Sequence, residues 1–291
     1  MRKLYLSSLL ACLFFMQIDT ASAQNKPVFS IPFTLIDNRP YIEVKIKHQT
    51  LHLILDCGAD FSLNLSVAKR LGLKLTDQTM QGGAGAKNVP FWNALVDTCH
   101  IGAAVVVKKT FMVTDLSQII NGLHLPYLDG ATGYGFMKDY AVQFDYPHHV
   151  INFYKSYTGV APVPFTLYYG SIPKAKIKID GKDATVIMDT GDRTPLTIFK
   201  HYAIDKGLLK SYQLSDTAIT GYGIGGPIYA RWMTLKQLTI GKLTLPNVHS
   251  RIPMLKTGMF AATDIDGSVG GGVFKQYKFT IDYLKQRLYF E

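Results

Sequence analysis

The chain has 291 residues, 47% of them hydrophobic, 12% aromatic and only 18% charged, with a formal net charge of +10. That composition excludes global disorder and supplies enough apolar material for two cores. The charges are scattered, with no basic run longer than Lys108-Lys109, so the positive balance reads as a solvated surface and no nucleic-acid partner is expected.

The opening segment has the layout of a secretory signal. Arg2 and Lys3 precede a mostly apolar run from Leu4 to Met16, and Ala21-Ser22-Ala23 fits a small-residue cleavage site. Residues 1–23 are therefore expected to be a signal peptide and the mature chain to be exported, periplasmic or extracellular. Cleavage after Ala23 removes Arg2, Lys3 and Asp19 and leaves 29 basic and 20 acidic residues, a net +9. Cys12 lies inside an apolar run that continues through Leu13-Phe14-Phe15-Met16, which disfavours lipoprotein anchoring. No later stretch reaches the roughly 20 apolar residues a spanning helix needs, so no integral membrane segment is expected after processing. The stretch between Ala23 and Val28 is too short for an inhibitory pro-segment. Cys57 and Cys99 are too few for a disulfide framework. No Cys/His spacing suggests a metal, and His148-His149 reads as surface. Neither metal nor cofactor is expected.

The remainder is a duplication. Leu51-His52-Leu53-Ile54-Leu55 ends in Asp56-Cys57-Gly58, and Ala184-Thr185-Val186-Ile187-Met188 ends in Asp189-Thr190-Gly191, 133 positions later. Asp129-Gly130 and Phe144-Asp145-Tyr146 return as Asp266-Gly267 and Ile281-Asp282-Tyr283, both offset by 137, and Ile101-Gly102 returns as Ile240-Gly241. Ordered echoes with slowly drifting offsets mark one supersecondary plan used twice. Two lobes are expected, 24–159 and 160–291, the boundary falling near Tyr157 to Pro164 where Thr158-Gly159 and two prolines interrupt the pattern.

Each copy reads mainly as strand. Tyr41 to Lys47 and Ala175 to Asp180 alternate apolar and polar residues, and Asp180-Gly181 supplies a hairpin turn. A short helix follows each Asp-x-Gly, predicted as Val67–Leu71 capped by Ser66, and as Ile198–Lys206. Glycine-rich segments come next, Gln81 to Gly85 and Gly221 to Gly226, placed between apolar strands like hairpin tips. They lack the Lys-Ser/Thr ending of a phosphate loop.

A strand ending in Asp-x-Gly, a short helix and a glycine-rich hairpin, once per lobe, resemble the retropepsin-like and pepsin-like aspartic proteases. The run Asp56-Cys57-Gly58-Ala59-Asp60 with Ala68-Lys69-Arg70-Leu71-Gly72-Leu73 is similar to the bacterial retropepsin-like branch. The resemblance implies a mainly β fold of two acid-protease-like β-barrel lobes with one or two short helices each and a cleft between them. It also implies a monomeric endopeptidase in which Asp56 and Asp189 share a proton and activate water. Cys57, Gly58, Thr190 and Gly191 would support the two loops, and Gly83, Gly85, Tyr222 and Gly223, with Tyr229 as a further aromatic, would belong to flaps over an extended peptide. The family usually has a hydroxyl residue between Asp and Gly. A thiol is a weaker hydrogen-bonding group, so Cys57 implies a looser first loop, and Asp192 is expected to bear on the dyad's titration. Asp60 stands where the family usually makes a structural ion pair, with no partner evident from the sequence.

Two alternatives stay open at this stage. One is a weak or inactive protease-fold peptide-binding protein, with Cys57 its main support. The other is a carboxylate-pair hydrolase acting on sugars, which needs carboxyls about 5 Å or more apart and would use Trp92 and Trp232. Asp129, Asp266, Asp145 and Asp282 read as structural, and Cys57 has no His placed to make it a nucleophile.

Overall fold

The computed structural model of the protein describes residues 25–291; the signal-segment and Cys12 readings lie outside the described residues. The architecture is mainly β and follows the duplication. Strand Arg39–Ile46 buries Tyr41, Ile42, Val44 and Ile46 while Glu43 and Lys45 face solvent, and it pairs antiparallel with Gln49–Leu55. The matching hairpin is Ile172–Ile179 with Lys182–Asp189. Its turn places Asp180 (φ 49°) and Gly181 (φ 74°) in the left-handed region, as the Asp-Gly pair predicts.

Both halves then repeat a less common pairing. Gln49–Leu55 runs parallel to Gly130–Thr132, which pairs antiparallel with Ser62–Asn64; Lys182–Asp189, Gly267–Gly270 and Leu196–Ile198 repeat the arrangement. The backbones approach so closely that a Cβ on Gly130 would strike the Ser62 carbonyl, and one on Gly267 the Thr197 carbonyl. The preceding aspartates rivet the crossing. Asp129 accepts from the His52 N–H at 2.9 Å and Asp266 from the Thr185 N–H at 2.7 Å, so both are structural.

A six-stranded floor joins the halves, in the order Phe29–Pro32, Val150–Tyr154, Ala141–Asp145, Lys278–Asp282, Arg287–Phe290, Val163–Tyr168. Its central pairing crosses between halves, with Val142 opposite Ile281, Gln143 opposite Thr280 and Phe144 opposite Phe279. Side chains from both halves, including Leu55, Phe144, Met188 and Phe279, merge into one continuous apolar core.

The helices begin elsewhere than predicted. The first spans Leu65–Arg70 and starts without a side-chain cap, so Ser66 lies inside it. Asn64 is held extended by the strand before it and turns its side chain inward, accepting from the Leu116 N–H and donating to the Leu128 carbonyl. Ile198 belongs to strand Leu196–Ile198, whose buried ladder outweighs helical spacing; the helix is Lys200–Asp205, followed after Gly207 by Leu208–Ser211. No helix among the described residues is long and apolar enough to cross a membrane.

Candidate active site

Each buried central strand carries its last residues to the junction between the halves. Asp56 leaves its strand donating its N–H to Thr132 O at 2.8 Å. Its Oδ1 accepts from the Gly58 N–H at 2.7 Å, and Asp189 Oδ1 accepts from the Gly191 N–H at 2.9 Å and the Asp192 N–H at 3.2 Å. Both loops thus aim a carboxyl at the same point: a Cβ on Gly58 would lie 3.1 Å from Asp56 Oδ1 and 3.4 Å from Asp189 Oδ1. A Cβ on Gly191 would fall within the Asp56 carboxyl, so only glycine permits that approach.

The loops are tied reciprocally. Thr190 Oγ1 accepts from the Cys57 N–H at 2.9 Å and donates to Leu55 O at 2.8 Å. Cys57 Sγ accepts from the Thr190 N–H at 3.3 Å and donates to Met188 O at 3.0 Å. The thiol therefore makes both bonds its threonine counterpart makes, contrary to the loose loop expected from its chemistry. Both side chains are fully buried, where no water competes for these partners.

Burial raises both carboxyls, and unequally. Asp189 is pushed well above the ordinary carboxylate range by burial and by the negative charges of Asp56 and Asp192, against the Gly191 N–H bond. Asp56 is also raised by burial, but the Gly58 N–H, the bond from Asp189 and the Arg39 guanidinium oppose the rise. Of the two, Asp189 is the more strongly raised. Burial, with the charges of Asp189 and Asp56, also holds the Cys57 thiol well above its usual range, leaving it protonated and unsuited to nucleophilic attack.

The dyad forms the floor of a cavity of about 300 Å³, walled by Ile54, Ile187, Leu116, Ile119, Ile228 and Phe260. Two hairpins roof it. Gly83 and Ala84 from one, and Tyr222 and Ile224 from the other, line the cavity. Gly85 and Gly223 join the tips together: the Gly85 N–H donates to Ile224 O at 2.8 Å, the Lys87 N–H donates to Gly225 O at 3.0 Å, and Gly223 lies against Ala84. Each tip is also held by the opposite half, through Met259 N–H to Gly83 O at 2.9 Å and through the packing of Tyr222 on helix Ser117–Gly122. Tyr229 is exposed and lies outside the cavity.

Sequence reasoning missed several groups. Arg39, Arg193 and Arg251 line the cavity. Arg251 forms a buried ion pair with Asp192 at 3.1 Å, and Thr194 N–H and Thr197 Oγ1 donate to the same carboxylate. Asp60 finds Lys109 at 3.5 Å. Only the 59-residue separation hides the Asp192 pairing; an Asp directly after the second Asp-x-Gly was the available signal. Trp92 and Trp232 lie in the corresponding long strands Val89–Ile101 and Gly226–Ile240 but one register position out of step, Trp232 stacked on His249, and neither lines the cavity. No cluster of three or more His, Cys, Asp and Glu among the described residues could hold a metal ion.

Two Asp-x-Gly loops are thus clasped together between duplicated β halves. Residues 42–124 match the protein-family model described as aspartyl protease. An aspartic proteinase from Irpex lacteus is similar in structure, with a TM-score of 0.57 at 14% identity, covering 89% of this chain and 96% of that one. A retropepsin-like aspartic protease from Rickettsia conorii aligns over 43% of this chain and 86% of its own, at 22% identity and a TM-score of 0.31. No curated protein matches the sequence. The family match and the shared fold support an aspartic protease family for this chain.

Proposed function

We propose that the protein is an exported aspartic endopeptidase. The observation that carries this reading is the convergence of the Asp56 and Asp189 carboxyls, each fixed by a glycine N–H, at the floor of a roofed cleft. The cleft would hold an extended peptide beneath the flap tips. Asp56, the ionised member, takes a proton from water lying between the carboxyls, while Asp189 donates its proton to the scissile carbonyl oxygen. Water adds directly to the carbonyl carbon, giving a tetrahedral diol without a covalent enzyme intermediate. Proton return to the leaving nitrogen then breaks the C–N bond. Carboxyls that converge on one point do not suit the wider separation that sugar hydrolysis uses, and the satisfied Cys57 thiol offers no support for an inactive binding protein. The amino-terminal sequence pattern supports export, with a mature chain beginning at Gln24.

The test is digestion of a mixed peptide library across roughly pH 3 to 8, with wild type beside Asp189→Asn. Wild type should cleave, and the variant should lose at least about 10²- to 10⁴-fold in rate, the usual contribution of a positioned acid or base. Equal cleavage by the variant, or none by either folded protein, would overturn the proposal.

A further inference from the structure

We infer that the second half of the cleft carries a polar subsite, formed by the Nη1 end of Arg251, that takes a neutral amide side chain (Gln or Asn) of the peptide. The inference rests on the peptide-cleft reading above and names the substrate class.

Arg251 ends a buried network. Its strand, Leu243–Pro253, runs parallel to Leu196–Ile198 and sets Arg251 opposite Thr197. The guanidinium donates from Nε to Thr197 Oγ1 at 2.9 Å and from Nη2 to Asp192 Oδ1 at 3.1 Å, and it lies 5.1 Å from the centroid of the Phe260 ring. These contacts fix its orientation and leave Nη1 as the unused arm of the fork. Nη1 has no acceptor among the described residues and, unlike the Arg39 Nε, is not fully buried. Since the side chain is only 3% exposed and lines the cavity, that open surface faces the cleft. Gly221 of the roof also lines the cavity, and a Cβ there would lie 3.1 Å from Nη1. Glycine keeps the donor uncovered.

The first half has no such donor. At the repeat offsets of 133 and 137, Asp192, Thr197 and Arg251 correspond to Ala59, Asn64 and Thr114, and Asn64 stands opposite Thr114 in the matching parallel pair. Asn64 is closed by the Leu116 N–H and the Leu128 carbonyl, and Thr114 Oγ1 donates to Pro90 O at 2.9 Å. Neither lines the cavity, whereas Leu116, Ile119 and Leu128 do. One side of the cleft is apolar, and the other presents a directed N–H.

The chemistry of that N–H selects its ligand. Asp192 already matches the guanidinium charge, so a carboxylate would set a second negative charge against one cation. An apolar side chain would bury Nη1 without an acceptor, which is costly. A neutral carbonyl oxygen satisfies Nη1 at a smaller desolvation cost. The main chain of a cleaved peptide must pass the dyad, whereas Arg251 is set against Phe260 in the wall, so the acceptor comes from a side chain.

The experiment compares kcat/KM for peptides carrying Gln, Met or Glu, or Asn or Leu, at each position around the cleavage site. The same peptides are titrated calorimetrically onto Asp189→Asn. At one position, on one side of the scissile bond, wild type should prefer the amide over its apolar near-isostere by about 10- to 100-fold, the range for a hydrogen bond to a charged group. Glu should fall below Gln there. Gly221→Ala, which sets a methyl against Nη1, should shrink the preference several-fold. The double variant Asp192→Asn/Arg251→Met, which removes the guanidinium without stranding a buried carboxylate, should abolish it. Both variants are read as a ratio between peptides, which a general loss of activity leaves unchanged. Cleavage with no amide preference, with Glu above Gln, or with a preference untouched in both variants would overturn the subsite and leave the peptidase reading intact. Amide-selective binding to Asp189→Asn without cleavage by wild type would uphold the subsite and overturn the peptidase; neither binding nor cleavage of any peptide would overturn both.

Discussion

Cys57 and Thr190 occupy equivalent places and make equivalent bonds with different atoms. Removing the sulfur leaves Met188 O and the Thr190 N–H buried without those partners, so Cys57→Ala should lose about 1–3 kcal/mol. For a chain of this size that is a fall in melting temperature of several degrees. Cys57→Ser, which can donate and accept in the same place, should stay much closer to wild type; identical melting of Ala and wild type would show that the thiol bonds contribute nothing. The dyad makes a different prediction. A carboxyl held above its unfolded pKa keeps its proton more tightly when folded, so its share of stability is full below the unfolded value of 3.8 and is lost as pH rises through the folded value. Asp189→Asn carries no such penalty and can still donate to Asp56. It should therefore melt above wild type at neutral pH, with the gap closing as pH falls toward the unfolded carboxyl range. A constant gap across that pH series would contradict a raised Asp189 carboxyl.

Among the elements, the two hairpin tips govern entry to the cleft, because the cavity is roofed by their mutual hydrogen bonds. Gly85 is the critical position: a Cβ there would overlap the backbone of Gly225 and Gly226. Gly85→Ala should part the tips, speed amide exchange at Gly85 and Lys87, and raise KM more than it lowers kcat. Melting should barely change, since the tip buries little core. Unaltered exchange would mean that the tips do not depend on this contact. The hairpins themselves were legible in the sequence, from alternation, Asp-Gly turns and glycine-rich tips, all local signals. So were the two Asp-x-Gly loops, because the repeat displays them twice. That the tips pair with each other was not legible. Neither was the pairing of Asp192 with Arg251, nor the place of Arg39 beside the dyad. The first two of these contacts join residues 59 to more than 130 positions apart and leave no periodic trace. The helix starts were misplaced for a related reason: strand pairing by Ser62–Asn64 and Leu196–Ile198 overrode the local capping and spacing signals.

At the scale of the whole molecule, the halves are joined by a floor that treats them as near-equal partners. Gln143 opposite Thr280 marks the centre of the pairing between Ala141–Asp145 and Lys278–Asp282, and these two residues are themselves 137 positions apart, the repeat offset. The same strand could therefore meet a copy of itself, with Gln143 opposite Gln143 and Val142 opposite Phe144. We propose that the lobes divide between Gly159 and Val160, and that the full chain is a monomer because both partners are already present. Residues 24–159 made alone would expose Ala141, Val142 and Phe144, all fully buried here, along an unpaired strand edge, which strongly favours association. Size-exclusion chromatography with light scattering should show this fragment at twice its own mass or larger, and the full mature chain at one. In such a dimer Asp56 would face its own copy, and Arg39 would meet the copy's Asp60 where the intact chain has Arg193. A folded, monomeric fragment would mean that the floor is an accessory to two independent lobes and not the seam that makes them one molecule.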